Sequence, residues 1–187
     1  HMGVTAENVA EKFQVTRDEQ DKFALKSQEK ALKAQKNNKF KDEIINYKIK
    51  SKKSEINFNK DEHPREGINL EALNRLKPVF KKDGTVTAGN ASGINDGAAA
   101  VTLMSSEEAK RRNIEKLVTV KSWASCGVDP ALMGTGPIPS AKKALDLAGW
   151  KINEVDLFEI NEAFAAQSIA VIKTCLLYTS PSPRDCQ

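Results

Sequence analysis

Residues 161–164, Asn-Glu-Ala-Phe, have the clearest chemical potential in the sequence. The run before them, residues 155–160, is interrupted only by acidic positions and predicts a strand, while the alanine-rich stretch 163–174 predicts a helix. Open α/β sheets place ligand-contacting groups where a strand ends and a helix begins. The Asn161 amide could donate to an oxygen or hold an ordered water, and so stabilise an oxyanion. Asn is also a common helix N-cap, so these residues alone leave both roles open.

The loop GNASGINDG, residues 89–97, is a second candidate for ligand contact. Its three glycines and small polar residues would let a ligand approach the backbone closely. It has neither the GxxxxGK(S/T) pattern of nucleotide triphosphate sites nor the GxGxxG of dinucleotide sites. The segment GTGPIPS, residues 134–140, could offer backbone N–H groups to an anion. Turn geometry and an ordinary capped loop explain the same residues without a ligand.

The cysteines and histidines point to neither a disulfide framework nor a metal site. Cys126, Cys175 and Cys186 form no CxxC pair and lie near no histidine pair. His1 and His63 are too far apart in sequence to form an HExxH motif. We therefore expect free thiols and no bound metal.

Composition and charge narrow the class of protein. The 187 residues are 40% hydrophobic and 29% charged, which excludes collagen, mucin-like stalks and a wholly disordered chain. Residues 26–60 contain eleven lysines against four acidic residues, a local charge of +7 within a chain of +4. No aromatic stacking platform accompanies them, so a solvated face or attraction of a phosphate-bearing small molecule is favoured over nucleic acid. No membrane-span or signal-peptide pattern occurs, and we expect a cytoplasmic protein.

In the first half, the patterns predict a small α+β region. Thr16 and Glu19 form a capping-box pair, and residues at helical spacing predict a helix over 17–36, with one face made of Phe23, Ala24, Ser27, Gln28, Ala31 and Leu32. Alternation over residues 45–49 and 55–58 predicts two strands with polar outer faces. Leucines over residues 70–76 predict a short helix that Pro78 cannot continue.

From Thr85 the sequence changes to an α/β pattern. An apolar run over 98–104 precedes a helix capped by Ser105 and Glu108, and an apolar strand is predicted over 117–120. A Ser140-capped helix then closes at Gly149. Strands that alternate with helices indicate a layered α/β architecture.

Five segments in this order resemble one known family: HMGVTAENVA at 1–10, DEHPREG at 61–67, VTAGNASGINDGAAA at 86–100, GVDPALMGTGPIP at 127–139 and NEAFAAQ at 161–167. Together they are similar to the thiolases, specifically the acetyl-CoA acetyltransferases, over residues 1 to about 173. The resemblance implies a layered αβαβα fold that is incomplete at both ends. It assigns 1–94 to a partial loop domain over the coenzyme A site, 95–114 to the end of the N-terminal half and 115–173 to the start of the C-terminal half. Residues 174–187 are expected to be a non-native tail.

The resemblance also implies a reaction. A cysteine thiolate accepts an acetyl group from one acetyl-CoA, and a second acetyl-CoA loses an α-proton and attacks that thioester to give acetoacetyl-CoA. Asn161 matches the family residue that holds an oxyanion-hole water together with a later histidine. The nucleophilic cysteine and the acid/base cysteine and histidine match nothing in this chain. Cys126 falls at a position without a catalytic role, so we expect this 187-residue chain to be inactive by itself.

The family's substrate contacts carry over to a further set of positions. Arg65 matches an arginine at the nucleotide end of coenzyme A, and the remaining matched residues border the pantetheine arm or the acyl site: His1, Met2, Ala91, Ser92, Met133 and Phe164. Ala72 stands where some relatives have a serine near the nucleotide. The implied partners are acetyl-CoA and coenzyme A as substrates, with no permanently bound cofactor, and the parent enzyme would be a homodimer or homotetramer that binds neither nucleic acid nor membrane.

Two other functions remain open from the sequence. A longer-chain 3-ketoacyl-CoA thiolase of fatty-acid β-oxidation would share most of these motifs, and the GVDPALMG text around Met133 favours the acetyl enzyme. A non-catalytic basic binding module built on residues 26–60 is the other alternative.

Overall fold

A computed structural model describes residues 1–50 and 54–175. The chain divides into two compact units, each described by itself below. Unit 1 combines His1–Gly93 with Asn161–Ala170, and unit 2 contains Ile94–Ile160 and the residues from Val171 onward. Unit 1 is therefore discontinuous in sequence.

Unit 1 begins with two helices whose starts are set by side-chain caps. Helix α1, Met2–Lys12, is capped by His1, whose Nδ1 accepts a hydrogen bond from the Gly3 N–H at 3.1 Å. Helix α2, Arg17–Lys36, begins with the expected capping box. The Thr16 hydroxyl accepts from the Glu19 N–H at 3.2 Å, and the Glu19 carboxylate accepts from the Thr16 N–H at 2.8 Å. The predicted helix over residues 17–36 is confirmed.

An antiparallel hairpin follows α2. Strands β1, Tyr47–Lys50, and β2, Glu55–Phe58, pair in the register Tyr47↔Phe58 and Ile49↔Ile56. This confirms the two strands expected from the alternation. All eight residues are exposed. Solvent therefore reaches both the apolar face, formed by these two pairs, and the polar face.

The rest of unit 1 contains a short helix and the first turns of the last one. Helix α3, Leu70–Asn74, is capped by Asn69 and ends before Pro78, as the leucine pattern predicts. Helix α6, Ala165–Cys175, provides residues 165–170. The apolar core of the unit comes from these helices and from residues 85–92, and includes Val9, Leu73, Val86, Ala166 and Ala170.

The described residues of unit 2 form two complete α-helices, two 3-10 segments and the end of α6. Helix α4, Ser106–Arg111, starts at Ser105, whose hydroxyl accepts from the Glu108 N–H at 3.2 Å. A 3-10 segment, Pro130–Thr135, leads into helix α5, Pro137–Ala148, and a second lies at Ile152–Glu154. Gly149 closes α5 at φ +69°, a left-handed conformation that suits glycine.

The predicted Ser140 cap of α5 is wrong. The helix begins three residues earlier, at Pro137, because proline lacks the N–H that the first helical turn leaves unpaired and its fixed φ suits that turn. Ser140 therefore lies inside the helix.

The strands expected over residues 117–120 and 155–160 do not form within the described part of the chain, and the apolar run 98–104 is neither helix nor strand. Their side chains are exposed, with Val101 at 83%, Leu117 at 91% and Leu157 at 75%. A strand needs a neighbouring strand to pair its N–H and C=O groups, and these runs have none here. The expected tail, 174–187, lies outside the described residues apart from its first two.

Candidate functional site

Unit 1 contains a pocket of about 260 Å³. Four segments line it: one face of α2, residues 61–64, residues 89–92 and the start of α6. The lining side chains include small residues, two carboxylates and a histidine: Phe23, Ala24, Ser27, Gln28, Ala31, Asp61, His63, Pro64, Gly89, Asn90, Ala91, Ser92, Glu162 and Ala165.

The α2 wall is the helix face that sequence spacing predicts. Phe23, Ser27 and Ala31 are four residues apart and so lie in one row, with Ala24 and Gln28 beside them. These residues are half-buried because they face the pocket and not a closed core. The periodicity identified the face, and the structure assigns it to the pocket.

Residues 85–92 form the second wall, and we call them the small-residue loop. Gly89 has no room for a side chain, because a Cβ there would lie 2.6 Å from both Leu73 Cδ2 and Leu76 Cδ1. The loop therefore packs with its backbone directly on α3 and the residues that follow α3. Its glycine permits this close approach, while the small side chains of Ala91 and Ser92 face the pocket.

The segment before α6 is hydrogen bonded to the small-residue loop. The Ser92 N–H donates to the Ala163 carbonyl at 3.0 Å, and the Ala165 N–H donates to the Asn90 carbonyl at 2.9 Å. These bonds enclose an isolated antiparallel bridge between Ala91 and Phe164. Three of the predicted site residues, Ala91, Ser92 and Phe164, are thus brought together.

A side-chain hydrogen bond joins α2 to the same segment. The Ser27 hydroxyl donates to a Glu162 carboxylate oxygen at 2.6 Å, across 135 positions of sequence. Glu162 directly follows Asn161, so this bond restrains the backbone that carries the predicted oxyanion residue.

Asn161 itself is exposed and lies four residues before α6. The alternative interpretation of Asn161 as the helix N-cap is therefore wrong, because Phe164 is the residue that precedes the first helical position. The Ser168 N–H donates to the Phe164 carbonyl, which is the first bond of the helical ladder. The amide of Asn161 is left to face solvent.

Of the other predicted residues, two lie close to the assembled group. The His1 ring is 4.9 Å from that of Phe80, which makes an edge contact with Phe164 at 6.3 Å. Arg65 follows the pocket-lining Pro64, and its N–H donates to the Gln28 side-chain carbonyl at 3.0 Å.

The remaining matched positions are outside this group. Met2, the first residue of α1, is 60% exposed. Met133 belongs to the 3-10 segment of unit 2 and is half exposed. The Ala72 N–H donates to the Asn69 cap, so Ala72 has a structural place in α3.

Sequence reasoning missed the polar residues that hold the pocket in shape. Glu7, Asp21 and Asn90 are at least nine-tenths buried and connect α1 and α2 to the small-residue loop. One signal was available, since Arg17 and Asp21 are four residues apart and form an ion pair at 2.7 Å. The Ser27–Glu162 bond had no such local signal.

The two described cysteines are free thiols, Cys126 and Cys175, and both are half-buried. Burial raises the pKa of the Cys175 thiol, which disfavours the reactive thiolate at neutral pH. In residues 1–50 and 54–175, no three His, Cys, Asp or Glu side chains are grouped as a metal site. No helix in these ranges has the length and apolar content that crossing a bilayer requires.

Known proteins that match this chain support the resemblance indicated by its five sequence segments. The family model described as "Thiolase, N-terminal domain" matches residues 1–107, and "Thiolase, C-terminal domain" matches residues 114–180. The acetyl-CoA acetyltransferase of Rhizobium meliloti is 57% identical over 173 residues, which is 92% of this chain and 44% of that protein.

Solved structures are similar over the same extent. The crystal structure of the Bacillus anthracis acetyl-CoA acetyltransferase matches with a TM-score of 0.86 at 50% identity, covering 92% of this chain and 44% of that one. Human mitochondrial 3-ketoacyl-CoA thiolase matches with a TM-score of 0.86 at 45% identity, covering 93% and 44%. The chain thus spans less than half the length of the proteins it matches.

Proposed function

Since this chain belongs to the thiolase family and has the fold of an incomplete thiolase, we propose that it is part of an acetyl-CoA C-acetyltransferase. The observation that carries the proposal is the 57% identity to an acetyl-CoA acetyltransferase over 92% of the chain. That relative is more than twice as long, so we assign the activity to a longer protein that contains these residues. We call it the full-length enzyme.

The pocket of unit 1 supports binding of a coenzyme A thioester. Its volume of about 260 Å³ is slightly below that of typical ligand sites, which run from roughly 300 to 1,000 Å³, and it suits a slender chain more than a bulky ring system. Small residues on the loop wall leave space for such a chain. We therefore propose that the pantetheine arm lies between α2 and the small-residue loop.

The charges around this pocket orient the proposed substrate. Asp61 and Glu162 line the pocket and would repel phosphate groups placed inside it. Arg65, beside the pocket, and the lysines of residues 26–60 provide cations for the phosphates. We propose that the nucleotide end stays at the Arg65 side while the uncharged arm occupies the pocket.

Asn161 is proposed to act on the reacting thioester. A neutral amide that donates, directly or through a water, to the thioester oxygen lowers the energy of the negative charge that develops there. Negative charge develops on a thioester oxygen in both half-reactions. The first transfers acetyl to the enzyme cysteine and releases coenzyme A, and in the second the acetyl-CoA carbanion attacks that acyl-cysteine. The second step releases the cysteine thiolate and forms acetoacetyl-CoA.

A longer-chain 3-ketoacyl-CoA thiolase is the second candidate function. The match to human mitochondrial 3-ketoacyl-CoA thiolase has a TM-score of 0.86, equal to that of the Bacillus anthracis acetyl-CoA acetyltransferase, so the fold supports this function equally. Its identity of 45% is lower than the 57% to the Rhizobium meliloti enzyme, which is why the acetyl enzyme is preferred.

The test begins with recovery of the DNA that flanks this coding sequence, followed by expression of the full-length enzyme. Thiolysis rates with acetoacetyl-CoA and with a longer 3-ketoacyl-CoA are then compared. We expect higher kcat/KM for acetoacetyl-CoA, whereas a preference for the longer substrate would support the second candidate. No thiolysis of either substrate would refute both.

The same enzyme preparation addresses two further parts of the proposal. We propose a cytoplasmic homodimer or homotetramer without a permanently bound cofactor. Sedimentation of the purified enzyme would give its oligomeric state, and fractionation of the source cells would give its location. A monomer, or an enzyme recovered with a tightly held prosthetic group, would contradict this description.

A further inference from the structure

We propose that Asn90 is a positioning residue that fixes the width of the coenzyme A pocket, and thereby sets the KM for the thioester substrate. The inference rests on the proposed function. It concerns a buried side chain that holds the pocket wall in place through hydrogen bonds, with Ala91 and Ser92 as its neighbours on that wall.

All polar groups of Asn90 are engaged in hydrogen bonds. Its side-chain amide donates to Asp21 Oδ1 at 2.9 Å and to the Thr85 carbonyl at 3.1 Å, while its side-chain carbonyl accepts from the Thr87 N–H at 2.8 Å. Its backbone carbonyl accepts from the Ala165 N–H at 2.9 Å. Asn90 is only 3% exposed and joins α2, the small-residue loop and the start of α6.

Asp21 is the fixed end of this network. Its carboxylate is fully buried and accepts from Arg17 Nε at 2.7 Å. Arg17 also donates to the carbonyls of Leu73 and Leu76, at 2.8 and 3.0 Å. Because the buried Asp21 carboxylate accepts from both Arg17 and Asn90, the position of Asp21 constrains that of the Asn90 amide.

Both walls of the pocket depend on this position. Ala91 and Ser92 follow Asn90 directly and line the pocket, and the Ser92 N–H holds the Ala163 carbonyl at 3.0 Å. Glu162 and Ala165 line the pocket from the α6 side. A displacement of Asn90 would therefore move the loop wall and the α6 wall together, with Asn161 adjacent to the second.

Replacement of Asn90 by Asp gives a probe of nearly equal volume. The new carboxylate would still accept from the Thr87 N–H, but it would face the Asp21 carboxylate and the Thr85 carbonyl, to both of which the amide now donates. Like charges at that separation in a buried place repel strongly, so the loop should move outward. The exchanged pair, Asp21→Asn with Asn90→Asp, restores one charge and one complementary donor, and the amide carbonyl introduced at position 21 can still accept from Arg17.

The experiment measures thiolysis of acetoacetyl-CoA by the full-length enzyme. For Asn90→Asp we expect KM for acetoacetyl-CoA to rise about 10-fold or more, with kcat at saturation within about 3-fold of wild type, because a displaced wall weakens contacts with the pantetheine arm that are equal in the ground and transition states. In the exchanged pair, KM should return most of the way to the wild-type value. Asn153→Asp, at an exposed position of the 3-10 segment Ile152–Glu154, is the matched control and should leave both constants unchanged.

Several outcomes would overturn the inference. One is a folded Asn90→Asp enzyme with unchanged KM, and another is a loss of Tm and kcat with KM unaltered, which would mark a purely structural role. If Asn90→Asp does not fold, the exchanged pair decides alone, since a KM equal to that of Asp21→Asn would show no rescue and refute the pairing. A wild-type enzyme without any thiolysis would instead refute the proposed function, and this inference with it.

Discussion

At the scale of single residues, buried carboxylates shape the small-residue loop. Glu7, 5% exposed, accepts from the N–H groups of Thr85 and Val86 and from the Thr85 hydroxyl, all at 2.9–3.0 Å. Gly84 is required beside it, because a Cβ at that position would overlap the Glu7 carboxylate. The charge of Glu7 is thus stabilised by backbone dipoles, and the loop starts at a fixed point on α1.

Glu7→Gln should loosen the start of this loop. The amide keeps the volume of the carboxylate but loses its charge and turns an NH₂ group toward backbone donors, at a cost of about 1–3 kcal/mol. In the full-length enzyme, amide hydrogen exchange at Thr85 and Val86 should accelerate by roughly 10- to 100-fold. Glu11→Gln, one turn further along α1 on an exposed side chain, is the control. Equal exchange in both variants would contradict this role of Glu7.

Cys175 should react slowly with alkylating reagents. Burial raises the pKa of its thiol above the ordinary 9.0, so the thiolate fraction at neutral pH is smaller than in an unfolded chain. Iodoacetamide labelling followed by mass spectrometry should give a lower rate for Cys175 in native buffer than in concentrated urea. Equal rates under the two conditions would show that the thiol is neither buried nor perturbed.

At the scale of elements, helix α4 depends on one acid held by two arginines. Glu108 accepts from Arg111 at 2.6 Å and pairs with Arg112, and these guanidinium groups lower its pKa below the ordinary 4.5. A carboxyl whose pKa is lowered in the folded state contributes stability above its ordinary pKa, and that contribution is lost as pH falls through the lowered value.

Helix α4 should therefore remain intact slightly below pH 4.5 and fray on further acidification. The measurement is an NMR titration of the Glu108 side-chain carboxyl, with the amide signals of Ser106–Arg111 as the readout of helicity. In the double variant Arg111→Gln and Arg112→Gln, the titration midpoint should move up toward 4.5. A midpoint that is unchanged by these substitutions would be the contrary result.

The elements that the sequence predicts correctly are those whose signals are local. Thr16 with Glu19, Ser105 with Glu108, and Gly149 lie within a turn of the helix ends they determine. The β1 and β2 strands are also predicted correctly, because each pairs with its neighbour in sequence. Residues 117–120 and 155–160 carry equally apolar patterns, but a strand of that kind requires partners from distant sequence.

The same difference between local and long-range signals applies to the pocket. The α2 wall could be predicted from spacing, and the loop from its glycines and small residues. The bonds that join the walls, Ser27 to Glu162 and Asn90 to Ala165, connect residues far apart in sequence and have no local pattern. Burial of Asp21 beside Asn90 is a consequence of that assembly and could not be derived from either residue alone.

At the scale of the whole chain, the dominant feature is uncovered apolar surface. In unit 2, Val101, Leu117, Val118 and Leu157 are each at least 75% exposed, as is Trp123 at 78%. Exposure of so many large apolar side chains is unusual for a stable monomer. The relatives are more than twice as long, and their additional length is where we expect the partners of these runs.

The 187-residue chain expressed alone should therefore self-associate and bind hydrophobic dyes. Light scattering and the fluorescence of a dye such as anilinonaphthalene sulfonate should both exceed those of the full-length enzyme, and thiolysis should stay at the uncatalysed rate. Leu117→Lys together with Leu157→Lys should reduce both signals, while Lys116→Gln, a polar neighbour, should not. A dye-negative monomer, or measurable turnover, would contradict the expectation.

The discontinuity of unit 1 has a consequence for the order of assembly during synthesis. His1–Gly93 leave the ribosome before Ile94–Ile160, but Glu162 and Ala165, which also line the pocket, follow only after all of Ile94–Ile160 has been translated. During that interval the three earlier pocket segments lack the wall that Glu162 and Ala165 provide. Co-translational folding of unit 1 consequently finishes late, and no ligand can contact all the walls of this pocket before Ala165 has been synthesised.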